Sequence, residues 1–394
     1  MAETAVRLQS ERAGRLVEVQ SGPERYRAFH PRPLPPDPPL GIDGELQGLI
    51  DRGNQALGRL DGVTLLLPDP DQFLYTFIRK EAVLSSQIEG TQSSLSDLLL
   101  FENDALPGVP REDAEETANC ITAMEHGIEQ LRSENGLPLS NRLLRQVHGL
   151  LLRSGRGAQK NPGQFRRSQN WLGGSRPGNA RYAPPPWTEV EQAMSDLERF
   201  LHDVPHPTPL LVKAALGHAQ FETIHPFLDG NGRVGRLLTT LLLCADGVLA
   251  RSLLYLSLYF KRNRDAYYDH LQRVRSEGDW EGWLRFFLEG VIDVAESTTQ
   301  TTRRIVEMID RDRRRIHDLG RAAATAHRLH DWAARFAVVR APWAAEGLGL
   351  SEPPVYGAIA RLEELGILRE VTGRKRGKLY VYDEYLSLLS EGTE

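Results

Sequence analysis

The sequence predicts a mainly α-helical protein, with a helical core interrupted by one β-hairpin and followed by a C-terminal winged helix-turn-helix domain. Three observations carry this. Apolar residues recur at helical spacing through most of residues 41–320. One long Gly-, Pro- and Asn-rich interruption, residues 161–187, holds two short segments around Trp171 and Tyr182. From about residue 325 the order is helix, turn, helix and then two β-prone segments around a basic loop.

Composition sets the frame. At roughly 150 residues per domain, 394 residues suffice for two or three domains, and 40% apolar with 26% charged residues is ordinary globular usage. The most apolar stretch, Leu237–Ala250, is interrupted by Thr239, Thr240 and Asp246 and falls short of the ~20 residues of a membrane-spanning helix. The opening MAETAVRLQSERAGRLVEVQ lacks a signal-peptide layout, so the expected location is cytoplasmic. Two cysteines, Cys120 and Cys244, are too few for a disulfide scaffold or a four-cysteine metal site. A net charge of −5 argues against bulk nucleic-acid coating.

Taken in order, residues 1–40 read as a lead-in ending in PRPLPPDPPL, whose six prolines predict an extended arm. A helix follows with Asp69 as cap and Pro70 as first residue; Phe73, Phe77, Leu84 and Ile88 share its face, and Gly90 ends it. Residues 111–152 give two helices broken at Asn135-Gly136. In the interruption, NWLGGSRPGNARYAPP reads as a β-hairpin. Thr188 with Glu191 predicts a capping box for a helix to about His202, and another helix runs from Thr208-Pro209 to about Glu222. Apolar helices then continue through Leu288 into the charged stretch RDRRR. Near the C-terminus a helix, a turn at Gly347–Ser351, a helix Pro353–Leu365 and the segments Ile367–Val371 and Leu379–Tyr382 complete the layout.

Residues 225–236, HPFLDGNGRVGR, concentrate chemistry that makes poor core and poor linker. Gly230, Asn231 and Gly232 can turn their amides inward at a helix start, where the helix N-terminus favours anions such as nucleotide phosphates. Arg233 and Arg236, three apart on one helical face, offer guanidinium forks for further phosphate oxygens. Asp229 can hold Mg²⁺ through one carboxylate, with phosphates and water as the other ligands. His225, with an unperturbed pKa of ~6.5, can accept a hydroxyl proton near pH 7. Two other readings fail on context. GNGRVG satisfies G-x-G-x-x-G but follows a helix rather than a strand. His218, Glu222 and His225 do not have the spacing of a zinc hydrolase, and Pro226 breaks their helical face.

The segment resembles the Fic family signature H-P-F-x-[D/E]-G-N-G-R-x-x-R at every fixed position, and PGQFRRSQNWLGG with RYAPPP resembles the region before and within that family's flap hairpin. The resemblance implies transfer of AMP from ATP to a Ser, Thr or Tyr hydroxyl of a target protein. It implies that His225 is the base, Asp229 the Mg²⁺ ligand, residues 230–232 the anion hole, and Arg233 and Arg236 the phosphate contacts. Asn263, and with it Tyr267, falls where members line the adenine pocket. The flap would hold the target chain by strand addition. Residues 85–90, SSQIEG, resemble the family's inhibitory motif [S/T]-x-x-x-E-[G/N], with Ser85, Glu89 and Gly90 in place. A Glu89 carboxylate paired with Arg236 would occupy the guanidinium needed by the γ-phosphate.

On this reading the chain divides into an arm (1–40), an N-terminal region with an inhibitory helix (41–115), the catalytic core (116–295), a connecting helix (296–324) and the winged helix (325–394). Expected partners are ATP, Mg²⁺ and a target protein, with self-modification and a homodimer also admitted. Arg374, Lys375, Arg376 and Lys378 on the wing leave open a DNA-binding regulator. Phosphate transfer and AMP removal are the alternative chemistries. His148, His202 and His206, which stand in no motif, read as structural or exposed, and Trp280 and Trp283 as core.

Overall fold

The computed structural model describes residues 10–21, 24–64, 70–103, 108–247, 254–320 and 323–393. Along the chain come β1 (Gly14–Ser21), β2 (Glu24–Pro31), α1 (Gly44–Thr64), α2 (Pro70–Ile88), α3 (Leu95–Glu102), α4 (Arg111–Arg132) and α5 (Asn141–Leu151). Then follow α6 (Val190–Leu201), α7 (Leu210–Ile224), α8 (Asn231–Ala245), α9 (Ser257–Arg262), α10 (Arg264–Glu277) and the long α11 (Trp280–His317). The C-terminal part holds α12 (Ala323–Phe336), β3 (Val338–Arg340), α13 (Ala341–Leu348), α14 (Glu352–Glu364), β4 (Leu368–Glu370), β5 (Leu379–Tyr382) and α15 (Asp383–Ser390). The chain is mainly α, as its periodicity predicts. Asp69, the expected cap of α2, lies outside the described residues.

These elements form two compact units. The first takes the described parts of Met1–Gly58, Asn119–Ala250 and Tyr259–Val294. At its centre is α7, whose sequence LLVKAALGHAQFETI has no polar stripe and is accordingly buried on every face from Leu211 to Ile224. Its polar residues survive burial by pairing: Lys213 Nζ reaches Asp203 at 2.8 Å, and Gln220 donates to the Arg32 carbonyl at 2.8 Å. His218 donates through Nδ1 to Gly235 O of α8 at 2.9 Å and accepts from the Tyr267 hydroxyl at 2.9 Å. Burial pushes it down to about 3, so it is a neutral clamp between helices. Trp283, fully buried as expected, donates its indole N–H to Ala215 O at 2.7 Å.

The same unit corrects the reading of residues 1–40. β1 and β2 pair antiparallel from Gly14 with Pro31 to Ser21 with Glu24, so the lead-in contains a real hairpin. It is held at its open end: Phe29 N–H donates to Ala183 O at 2.8 Å, and Arg12 makes a bidentate pair with Glu281 at 2.7 and 2.8 Å. The hairpin expected within residues 161–187 is in turn reduced to one antiparallel bridge, Leu172 with Tyr182. Gly173 and Gly174 take positive φ, and the Ser175 and Arg176 amides bond Asn179 Oδ1 rather than a facing strand. The capping box of Thr188 and Glu191 is also absent, because Thr188 sits inside a 3₁₀ turn, Trp187–Glu189, that runs directly into α6.

The second unit takes the described parts of Arg59–Ala118, Arg251–Leu258 and Ala295–Glu394. Here Glu81 of α2 accepts from Ser257 Oγ at 2.5 Å, and Lys80 lies 4.4 Å from the centre of the Tyr255 ring. In the C-terminal part the two strands around the basic loop are present, but they belong to a three-stranded antiparallel sheet ordered β3-β5-β4. The single first helix expected there is divided: Ala337 takes φ +60°, and β3 intervenes before α13. Only pairing with β5, forty residues later, makes three residues after α12 a strand, which local pattern does not reveal. Helix α11 runs unbroken through residue 295, where the reading placed a boundary.

Candidate active site

The HPFLDGNGRVGR segment spans the turn between α7 and α8 and the first residues of α8. α7 ends at His225, which adopts left-handed backbone angles, φ +51° and ψ 61°. A non-glycine residue there costs on the order of 1–3 kcal/mol and persists only when its surroundings hold it. Arg166 does so. Its Nε donates to His225 O at 3.0 Å, its Nη2 to Pro185 O at 2.5 Å, and its own amide to Pro226 O at 2.9 Å. Asn170 Nδ2 adds a bond to Phe227 O at 2.8 Å. Arg166 is 2% exposed, and burial lowers its guanidinium to about 10. The His225 ring stands with Nδ1 3.9 Å from Glu222 Oε2.

The second half of the turn is fixed by Asn231, whose side chain accepts from Phe227 N at 2.8 Å and donates to Phe227 O at 2.9 Å. Gly230, φ +75°, caps α8. A neutral His148 supports it from below: Nδ1 accepts from Gly163 N at 2.8 Å, which leaves Nε2–H to donate to Asp229 O at 3.1 Å. Its ring stacks on Phe227 with centroids 3.7 Å apart, and burial pushes it down to about 4. Arg166 and His148 hold this turn, a placement that sequence reasoning did not foresee. Arg166 lies within the quoted QFRRS, but no spacing links it or His148 to residue 225.

Of the three amides expected to form the anion hole, Gly230 N–H donates to Asp229 Oδ1 at 2.6 Å. Those of Asn231 and Gly232 open α8 with no acceptor among the described residues. Arg233 and Arg236 follow on one face, each 3% exposed. The Asp229 carboxylate is 42% exposed. Gly157, φ +86°, makes room for it, since a Cβ there would stand 3.0 Å from Oδ2. One open, hard carboxylate suits a divalent cation that draws its remaining oxygens from phosphates and water, so the residues fit Mg²⁺.

Residues 48–129 match the description Fic/DOC family N-terminal, and residues 138–243 match the Fic/DOC family. Two successive stretches of the chain are thus similar to Fic family domains. It is 28% identical over 246 residues to a protein named Protein adenylyltransferase Fic from Aedes aegypti, covering 61% of this chain and 45% of that one. A Culex quinquefasciatus protein of the same name is 31% identical over 208 residues, 51% of this chain and 38% of that one. The chain thus spans less than half the length of these relatives. Its fold resembles a Fic family protein from Desulfovibrio desulfuricans, with TM-score 0.57, 21% identity and coverage of 87% and 97%. It also resembles Fic-1 from C. elegans, with TM-score 0.51, 19% identity and coverage of 67% and 73%.

Beyond the matched residues, Asn263 caps α10 and donates to Tyr259 O at 3.1 Å, half-buried. Tyr267 is a core residue, 1% exposed, with its hydroxyl on His218. Ser85 is buried in α2, and Glu89 is exposed in the turn that closes this helix, where Gly90 takes φ +102°. No helix among the described residues is long and apolar enough to cross a membrane.

Proposed function

We propose that this chain is a protein adenylyltransferase that moves AMP from ATP to a Ser, Thr or Tyr hydroxyl of a target protein. The observation that carries it is the α7–α8 turn. There a histidine in left-handed backbone, an open carboxylate and two helix-opening amides stand within eight residues, His225 to Gly232. His225 takes the hydroxyl proton as the target oxygen bonds to the α-phosphorus. The bond from that phosphorus to the bridging oxygen breaks, and pyrophosphate leaves with the electron pair. The Asn231 and Gly232 amides and the α8 dipole stabilise the charge developing on the phosphates. Arg233 and Arg236 hold the outer phosphates, and Asn263 borders the adenine. Mg²⁺ held by Asp229 would offset phosphate charge when bound.

Glu89 acts in this proposal as a brake that competes with the γ-phosphate for Arg236, with Ser85 on the same helix. The target chain lies along residues 172–182. The experiment follows label from α- and γ-labelled ATP into the purified protein and a lysate, for wild type, Glu89→Gly, and Glu89→Gly with His225→Ala. Label from the α-phosphate alone, raised by the first change and abolished by the second, is expected. Label from the γ-phosphate would make the protein a kinase instead.

A second reading rests on the loop between β4 and β5, where Arg374, Lys375, Arg376 and Lys378 are all exposed. A duplex-DNA gel shift removed by neutralising these four residues, with label transfer intact, would support nucleic-acid binding through this loop.

A further inference from the structure

A cavity of about 210 Å³ lies between the β1–β2 hairpin and residues 177–183, with α10 as its floor. Tyr26 and Phe29 come from β2, Pro177 and Tyr182 from the flap segment, and Gln272 and Arg275 from α10. Its volume is below the ~300 Å³ at which small-molecule sites begin, so it suits one side chain better than a nucleotide. Arg275 is 6% exposed, yet among the described residues no carboxylate lies within 4.0 Å of it. Its partners are neutral: Nε donates to Thr223 Oγ1 at 3.3 Å, Nη2 to Glu222 O at 3.0 Å, and its carbon sits 4.1 Å from the centre of the Tyr182 ring. Tyr182 cannot serve as the missing anion, because burial pushes its hydroxyl up and that hydroxyl donates to Thr223 O at 2.6 Å.

A buried cation ordinarily has an anion beside it, and none of the residues lining this cavity is acidic. Glu24 accepts from Gly178 N at 3.0 Å, and Asp269 lies 3.6 Å from the exposed Arg181. Arg27 and Arg181 line the cavity as well, which leaves its field positive.

Resting on the proposed transfer reaction, we infer that this cavity is a specificity pocket for an anionic side chain of the target, a carboxylate or a phosphate, a few residues from the modified hydroxyl. Two features tie it to the chemistry. The flap segment forms one wall, so a chain held along the flap passes the mouth. The groups bonded by Arg275, on Thr223 and Glu222, belong to the last turn of α7 before His225.

The test is fluorescence anisotropy of the full chain, without ATP, using labelled twelve-residue serine peptides. These are identical except for Glu, Gln or phosphoserine at one position, scanned along the peptide. Glu or phosphoserine should bind at least tenfold tighter than Gln at one spacing from the serine, and the ratio of the two tells carboxylate from phosphate. Arg275→Gln should remove the preference. Arg27→Glu, an exposed change on β2, should weaken it even if the first variant folds poorly. Equal binding of Glu, Gln and phosphoserine at every position would overturn the pocket, as would a preference that survives both variants. Because no ATP is present, a preserved preference in a protein that transfers no AMP would count against the transfer reading alone.

Discussion

Arg166 should set the position of His225 rather than the stability of the fold, and the two can be separated. Its bonds to His225 O at 3.0 Å and Pro185 O at 2.5 Å are each worth about 1.5–3 kcal/mol as charge-assisted contacts. Against them stands the cost of burying the cation. A guanidinium lowered from 12.5 to about 10 corresponds to about 3 kcal/mol at 1.36 per unit. Arg166→Met removes both terms, so its net loss of stability should be only about 0–3 kcal/mol. Arg166→Lys keeps the buried charge but cannot fan across carbonyls on residues 168, 185 and 225, so it should melt no higher than the Met variant. Both release the His225 carbonyl, and a misplacement of about 1 Å can cost about 100-fold in rate. Measured by label transfer and thermal melts, kcat should fall about 100-fold in both variants, with the KM for ATP within a few fold of wild type. A Met variant with wild-type kcat, or a Lys variant clearly more stable than the Met one, would refute the reasoning.

Gly157→Ala would place a methyl 3.0 Å from Asp229 Oδ2 at φ +86°; it should cost about 1–2 kcal/mol and raise the Mg²⁺ concentration for half-maximal label transfer, read from a metal titration. Glu89→Gly should raise self-labelling by ATP, and unchanged incorporation would remove the brake. His148 and His218 are held neutral in the fold at about 4 and about 3, below the ~6.5 of an unfolded histidine. The stability they contribute is therefore fully present above pH 6.5 and is lost as pH falls towards 4 and then 3. Together they should lower unfolding free energy by about 2.4 kcal/mol between pH 6 and 5, and urea midpoints that stay constant over that range would contradict this.

The helices around the site were legible because they obey local rules. Pro209 precedes α7, Gly90 follows α2, and Asn135-Gly136 separates α4 from α5. The signature itself was legible because its residues are contiguous. Elements made by distant pairing were not. β3 needs β5, and β1–β2 was missed where proline-rich sequence nearby drew the reading towards an arm. Conversely, local turn chemistry in residues 172–182 looked like a hairpin, yet Asn179 captures the amides a second strand would have used.

By itself, then, the sequence determined a mainly helical chain and marked one contiguous motif, from His225 to Arg236, since periodicity and a contiguous motif survive without coordinates. Only the tertiary structure decided how His225 is held in left-handed backbone, that the Gly230 amide bonds Asp229, and that Arg275 is buried beside a cavity with no acid in its lining. Those facts depend on burial and on bonds between residues 59, 19 or 52 positions apart, such as Arg166 to His225, Arg166 to Pro185 and Arg275 to Thr223. A chain's local pattern carries no record of which distant carbonyl or carboxylate will stand beside a given cation once water has been excluded.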